Sequence, residues 1–427
     1  MNRFSPLFVL LVLLACERPR QATVDTQLLQ QLAAKRVKLP NGWSLTPVGR
    51  SVPLGDLPLN LVVSPSGKYL AVTNNGQSTQ SIQLLDAASE KVLSAVEIPK
   101  SWVGLAFSRD EKTLYASGGN DNRVAIFRVE NGALRADSSI ALGKRWPNKI
   151  SPAGLCIDEA RNRLYVVTKD DRALYEVDLT EKKVSRRTEL PAEAYTCLLS
   201  PNGRELYVSL WGGKKVLVFS PETGQVVGEI TTEGHPNDLL LSKNGKTLFV
   251  ANATENSVSV IDVAARRVLE TIGTALYPNA PAGSTPNGLA LSGDEKTLYV
   301  ANADNNCLAV FDVATPGRSR PRGFIPTGWY PTSVKTLGNR VFVANGKGFS
   351  SFPNPKGPRP LSRKEAQEKG PNPAANDRSQ YIGGLFKGTL SVFEEPTEPQ
   401  LAAFSSLVYQ NSPYSKTRET EAEGEPG

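Results

Sequence analysis

His235 is the single histidine in the 427-residue chain, and this limits the available chemistry before any fold is considered. One imidazole with no serine or cysteine neighbour makes no nucleophile–base pair, and alone it cannot build a zinc or copper centre. Cys156, Cys197 and Cys307 sit in the apolar runs "GLCID", "YTCLLS" and "NNCLAVF", with no CxxC or CxxCH spacing. They read as buried small hydrophobes, and an odd number leaves at least one unpaired within the chain. The only methionine is the initiator, so redox cofactors find little support and no cofactor is expected. What remains is recognition chemistry. His235 leads it, with the aromatics Trp102, Tyr195, Trp211 and Tyr330 and the further neighbours Trp146, Glu193 and Trp329. Aromatic residues grouped at an opening suit sugar, peptide or quinone-like ligands, and they serve equally to plug it.

The elements that position these residues are written as a repeat. "KTLFVANATENSVSVIDV" (246–263) and "KTLYVANADNNCLAVFDV" (296–313) are nearly the same eighteen residues. Equivalent runs place Leu70, Leu114, Leu164, Leu206, Leu248, Leu298 and Val341 in register, 42 to 50 residues apart. A period in the forties with short strand-like runs is the mark of propeller blades. Residues 237–272 show one unit: four apolar or alternating runs separated by Gly, Asn and Asp turns, hence a four-stranded antiparallel meander. Such a sheet is apolar on both faces and must stack against copies of itself. The expectation is an all-β, seven-bladed propeller over residues 44–396. The seventh unit lacks a fourth strand, which the orphan segment "SLTPVGRSVPLG" (44–55) supplies, closing the ring. Asp86, Asp178, Asp262 and Asp312 recur at the end of the third strand and read as turn caps rather than catalytic acids.

These repeats, with "LFVAN", "LYVAN" and "VFVAN" and the SP-x-G-K/R turns, resemble the YVTN-repeat, lactonase-like seven-bladed propellers of bacterial envelopes. Ligand sites of such propellers lie at the channel mouth, where the loop before each first strand meets the loop between the second and third. His235 is expected to interrupt the repeat pattern on one of these mouth-side loops. The seven equivalent positions at the start of each unit are Leu59, Val103, Ala153, Tyr195, Asn237, Asn287 and Thr332. "HPNDLLLS" (235–242) and "TPNGLALS" (285–292) resemble loops of calcium-dependent gluconolactonase-type propellers, which would make Asn237 and Asn287 calcium ligands. Calcium is the one metal the resemblance raises. Those enzymes also need carboxylates on the ring, whereas here only Asp238 lies adjacent. Turn-ordering asparagines are the competing reading.

The chain ends carry the remaining signals. "MNRFSPLFVLLVLLAC" has Arg3, an apolar core far shorter than the roughly 20 residues of a membrane span, and a terminal "LLAC". This resembles a lipoprotein signal, with Cys16 as the lipidated residue; an ordinary cleaved signal peptide is the alternative. Glu17 after the cysteine points to the outer membrane by enteric-type sorting. Residues 17–43 are expected to be a tether and 346–387 a Pro/Gly-rich insertion in blade 7. Residues 397–427 read as a helix-like connector and acidic tail. The order of propeller, "QLAAFSSLVYQNSPY" and tail resembles bacterial proteins in which such a propeller precedes a phosphoesterase of the alkaline-phosphatase superfamily. The formal charge of +7, from 49 basic and 42 acidic residues, is scattered without an aromatic-interleaved basic stripe, so nucleic acid is not an expected partner. The resulting expectation is a lipid-anchored binding or scaffold module on the periplasmic side of the envelope. It would hold a small molecule or protein at the mouth and act as the non-catalytic part of a phosphoesterase system. The alternative is a lactonase-type hydrolase with its active site at the same mouth.

Overall fold

A computed structural model of the protein describes residues 24–145, 147–278, 280–349 and 385–413. Among these residues are seven four-stranded antiparallel sheets and a two-stranded ribbon pairing Val37–Lys38 with Ser44–Leu45. The seven sheets are the blades of a propeller. Their first strands, Pro58–Val63, Leu105–Phe107, Pro152–Asp158, Cys197–Leu199, Pro236–Leu241, Pro286–Leu291 and Trp329–Leu337, surround the central channel. Each of blades 1 to 6 continues outward through its next three strands in chain order.

Burial grades outward as the repeat requires. The second strands Tyr69–Asn74, Thr247–Asn252 and Thr297–Asn302 are buried at every residue. The fourth strand Lys183–Glu189 alternates exposed and half-buried positions. A sheet with two apolar faces is stable only when each is covered by the next blade. Leu239, Leu248, Val250 and Ile261 of blade 5 accordingly form one cluster with Tyr207, Val216 and Val218 of blade 4. Full burial of each such Leu, Val or Ile is worth roughly 1.5–3 kcal/mol, so the blade seams carry the fold.

The ring closes non-covalently. Arg50–Pro53 pairs antiparallel with Thr389–Glu394 and becomes the outer strand of blade 7, after Trp329–Leu337 and Arg340–Gly348. The Asp caps behave as the sequence implies: Asp86 Oδ1 accepts from Ser89 N at 2.7 Å, and Asp262 Oδ1 from Ala265 N at 2.9 Å. Outside the blades, α1 (Thr26–Ala33) lies within the expected tether and α2 (Glu398–Asn411) within the expected connector. Helix α2 docks on the outer strand of blade 6, where Ser405 Oγ accepts from Phe324 N at 2.9 Å. Its Leu401 and Phe404 join the core between blades 6 and 7, and Leu28 and Leu32 of α1 pack against that cluster. Most of the blade 7 insertion and the whole acidic tail, 414–427, lie outside the described residues.

Candidate functional site at the channel mouth

Four first strands open at a proline preceded by a residue of positive φ, in Leu57-Pro58, Ser151-Pro152, His235-Pro236 and Thr285-Pro286, and blade 7 carries the same dipeptide, Tyr330-Pro331, just inside its first strand. The positive φ (53° at His235) turns the incoming chain over the mouth, a conformation uncommon outside glycine. It is held from the loop after the second strand: Ala253 N donates to His235 O at 3.0 Å, as Lys169 N does to Ser151 O and Ala303 N to Thr285 O. The side chains follow the same rule. Ser151 Oγ donates to Asp170 Oδ2 at 2.6 Å, Thr285 Oγ1 to Asp304, and His235 Nδ1 lies 2.9 Å from Thr254 Oγ1. His235 therefore occupies a repeat position instead of interrupting the repeat. What it adds there is an aromatic ring.

That ring belongs to a cluster drawn from four blades. His235 packs against Trp211 with ring centroids 4.3 Å apart and planes tilted by 60°. Lys169 Nζ lies 5.5 Å from the Trp211 centroid and 5.6 Å from that of Trp102. Trp102 precedes the first strand of blade 2, and Lys169 and Trp211 follow the second strands of blades 3 and 4. His235 opens blade 5. Across the mouth, Lys347 Nζ lies 4.4 Å from the Tyr330 centroid and 5.5 Å from that of Trp329. An ammonium over an aromatic face contributes about 0.5–2 kcal/mol, which holds both lysines at the rim. Among the described residues, no ion pair engages Lys169, Lys347 or Lys335.

Deeper in the channel, an irregular register after each strand-opening proline, as between Pro236 and Leu239, turns the next side chains toward the neighbouring blade. Asn237 Nδ2 donates to Pro286 O and to Asn287 Oδ1, both at 3.0 Å, and Asn237 Oδ1 accepts from Asp238 N at 2.7 Å. Asp238 Oδ2 accepts from Leu289 N at 2.8 Å, and Lys335 Nζ lies 3.4 Å from Leu289 O. These contacts staple blades 5, 6 and 7. Burial raises the Asp238 carboxyl above its ordinary value, while Lys335 and the N–H groups of Leu289 and Leu239 oppose it. Burial likewise raises the Tyr195 hydroxyl, with Asp238 and Tyr330 adding to the effect. It raises that of Tyr330 too, against the Asn287 side chain.

A calcium site of the gluconolactonase kind does not fit these residues. The oxygens of Asn237 and Asn287 are both engaged in the staple, and Asp238 accepts backbone N–H groups. Among the described residues, no group of three or more His, Cys, Asp and Glu side chains is placed to hold a metal ion.

The sequence-selected residues thus fall into two groups: Trp102, Trp211 and His235 on one rim with Tyr330 on the opposite rim, and Tyr195, Asn237, Asp238 and Asn287 on the channel side. Cys16 and Trp146 lie outside the described residues. Sequence reasoning missed Lys169, Lys347 and Lys335. A usable signal existed for the first: Lys169 and Trp211 directly follow the second strands of blades 3 and 4, where blades 5 and 6 carry Ala253 and Ala303. A separate hollow of about 350 Å³, lined in part by Trp43, Asn256, Tyr277 and Asn305, has no charged side chain among its described lining residues.

Comparison with known proteins agrees with the architecture. The family model described as a YNCE-like beta-propeller matches residues 29–339. "Uncharacterized protein YncE" of Salmonella typhimurium is 25% identical over 195 residues, covering 45% of this chain and 54% of the relative. Its counterpart in Escherichia coli K12 is 26% identical over the same length and coverage. The chain thus spans about half the length of the curated relatives it matches. Among solved structures, Kuenenia stuttgartiensis hydrazine synthase superposes with a TM-score of 0.56 at 18% identity, covering 68% of this chain and 93% of that one. At that identity the likeness concerns the fold alone. The match from α1 through the first strand of blade 7, on a chain that closes seven blades, makes the protein a member of the YNCE-like β-propeller family.

Proposed function

We propose that the protein is a binding module of the bacterial cell envelope, anchored through a lipid on Cys16, that captures an anionic, ring-bearing ligand at its channel mouth. The observation that carries this reading is Lys169 poised over Trp102 and Trp211, with His235 packed at a tilt against the latter. The fold does not require this cluster, because equivalent blades manage with alanine at the same place. Aromatic faces offer stacking area, and a lysine with no ion pair among the described residues offers a partner for a carboxylate or phosphate. Lys347 beside Tyr330 repeats the combination on the opposite rim. The resemblance of the segment after the propeller to connectors of propeller–phosphoesterase proteins supports a setting beside such an enzyme. In that setting this chain would bind rather than catalyse.

The experiment is a tryptophan-emission titration of the full chain with a uronic acid, its neutral parent sugar and an aromatic carboxylate. Saturable quenching by an anionic ligand, weakened by added salt and by Lys169→Gln, is expected. Equal response to the neutral sugar, or no response to either anion, would overturn the ligand class. Turnover of lactones that disappears in Asn237→Ala would replace binding by hydrolysis as the function.

A further inference from the structure

Cys156 and Cys197 are 41 residues apart in sequence, yet their sulfurs lie 3.5 Å apart with no bond between them. Cys156 is in the first strand of blade 3, and Cys197 opens the first strand of blade 4. The seam between these strands is tight. Gly154 N donates directly to Tyr195 O across it at 2.8 Å. A Cβ at position 154 would overlap Thr196 Cα and come within 2.6 Å of Thr196 Oγ1. Glycine is thus what permits the backbones to approach and bring the two thiols together. Cys197 is buried and its sulfur lies 3.7 Å from Tyr165 O, whereas Cys156 is half-buried. Cys307 is buried in the third strand of blade 6, within a different cluster.

We propose that Cys156 and Cys197 form a disulfide that staples blade 3 to blade 4 at their innermost strands. A disulfide spans about 2.05 Å, so the sulfurs need to close by only roughly 1.5 Å. The oxidant is an external disulfide, on a protein or a small molecule. The Cys156 thiolate attacks one donor sulfur, forming a mixed disulfide and releasing the first donor thiolate. The Cys197 thiolate then attacks the Cys156 sulfur, forming the intrachain bond and releasing the second donor thiolate. Two protein thiols are oxidised, the donor disulfide is reduced to two thiols, and the protons pass to solvent or to those thiolates. Burial raises the Cys197 thiol and keeps its thiolate scarce. The half-buried Cys156 therefore meets the oxidant first, and the intramolecular attack by Cys197 is the slower step. Closing a loop of this length restricts the unfolded chain, so the oxidised form should unfold at a higher temperature than the reduced form.

The test equilibrates the full chain with oxidised glutathione, alkylates the remaining thiols, and maps peptides without reduction. Expected are a cross-linked pair containing Cys156 and Cys197, an alkylated Cys307, and a thermal midpoint above that of the reduced protein. The midpoint difference should vanish in Cys156→Ser and persist in Cys307→Ser. Finding Cys156 and Cys197 still individually alkylated, a glutathione adduct on Cys156 without the intrachain bond, or a cross-link through Cys307 would overturn the proposal. So would a cross-link that leaves the midpoint unchanged. The peptide map is made on the unaltered protein, so a poorly folding variant does not weaken it.

Discussion

Substituting Glu90 by Gln should loosen the closure of the ring. Glu90 sits in the turn between the third and fourth strands of blade 1, only 8% exposed. It faces two arginines of blade 7. Arg50 donates to it from Nε at 2.9 Å and from Nη2, and Arg340 Nη1 approaches to 3.7 Å. The hydrogen bond from Arg50 is the main reason the Glu90 carboxyl lies below its ordinary value of 4.5. Hydrogen bonds to charged groups contribute about 1.5–3 kcal/mol, and the 70% exposure of the Arg50 side chain lowers that, leaving ~1–2 kcal/mol. An unfolding entropy of about 2 cal/mol/K per residue over a body of this size converts that to a midpoint lower by roughly 1–3 °C. Calorimetry at neutral pH should show this drop. Because the folded carboxyl titrates below the unfolded one, its contribution is present above pH 4.5 and is lost as pH falls through the folded value. The gap between wild type and Glu90→Gln should therefore close in acid. Equal midpoints at neutral pH, or a gap undiminished well below pH 4.5, would refute the clasp.

Three further outcomes are expected. Asp262→Ala removes the acceptor of Ala265 N and should cost about 0.5–2 kcal/mol in denaturant unfolding, leaving mouth ligands bound as before. Gly154→Ala forces a methyl into the blade 3–blade 4 seam and should destabilise by ~1–3 kcal/mol, read as a lower urea midpoint at unchanged slope. In cells, a palmitate analogue should label the wild type and not Cys16→Ser; equal labelling of both would remove the lipid anchor from the proposed function.

The blades were legible because each strand repeats a short apolar pattern, and seven copies reinforce one another against local ambiguity. Closure was legible for a related reason: a unit with three strands and an orphan strand-like segment near the N-terminus solve each other's edge. Helix α2 was legible as a helix, but its seat on the outer strand of blade 6 was not. The bonds between Ser405 and Phe324 depend on tertiary placement, which amphipathicity does not specify. At the mouth, His235 stood out as a residue type, yet its backbone belongs to the repeat, as Ser151 and Thr285 show through the same positive φ and the same partner loop. The Asn237–Asn287 contact and the Cys156–Cys197 contact both cross blade seams, and nothing in local sequence reports such a neighbour. Lysines over tryptophans escaped for a chemical reason: a surface lysine in a loop reads as solvated until its aromatic partners are placed beside it.

The central claim is that the repeat makes the fold while the rim cluster makes the binding surface. The measurement that tests it most directly pairs thermal midpoint with affinity for an anionic ring ligand in Trp211→Ala and Asp262→Ala. Trp211 is a half-exposed rim residue, so its truncation should leave the midpoint nearly unchanged. Binding should weaken about tenfold, as expected for losing ~1.4 kcal/mol of stacking and cation contact. Asp262→Ala should do the reverse. If Trp211→Ala binds as the wild type does and instead lowers the midpoint as far as Asp262→Ala, the rim cluster is part of the scaffold and the account of the mouth is contradicted.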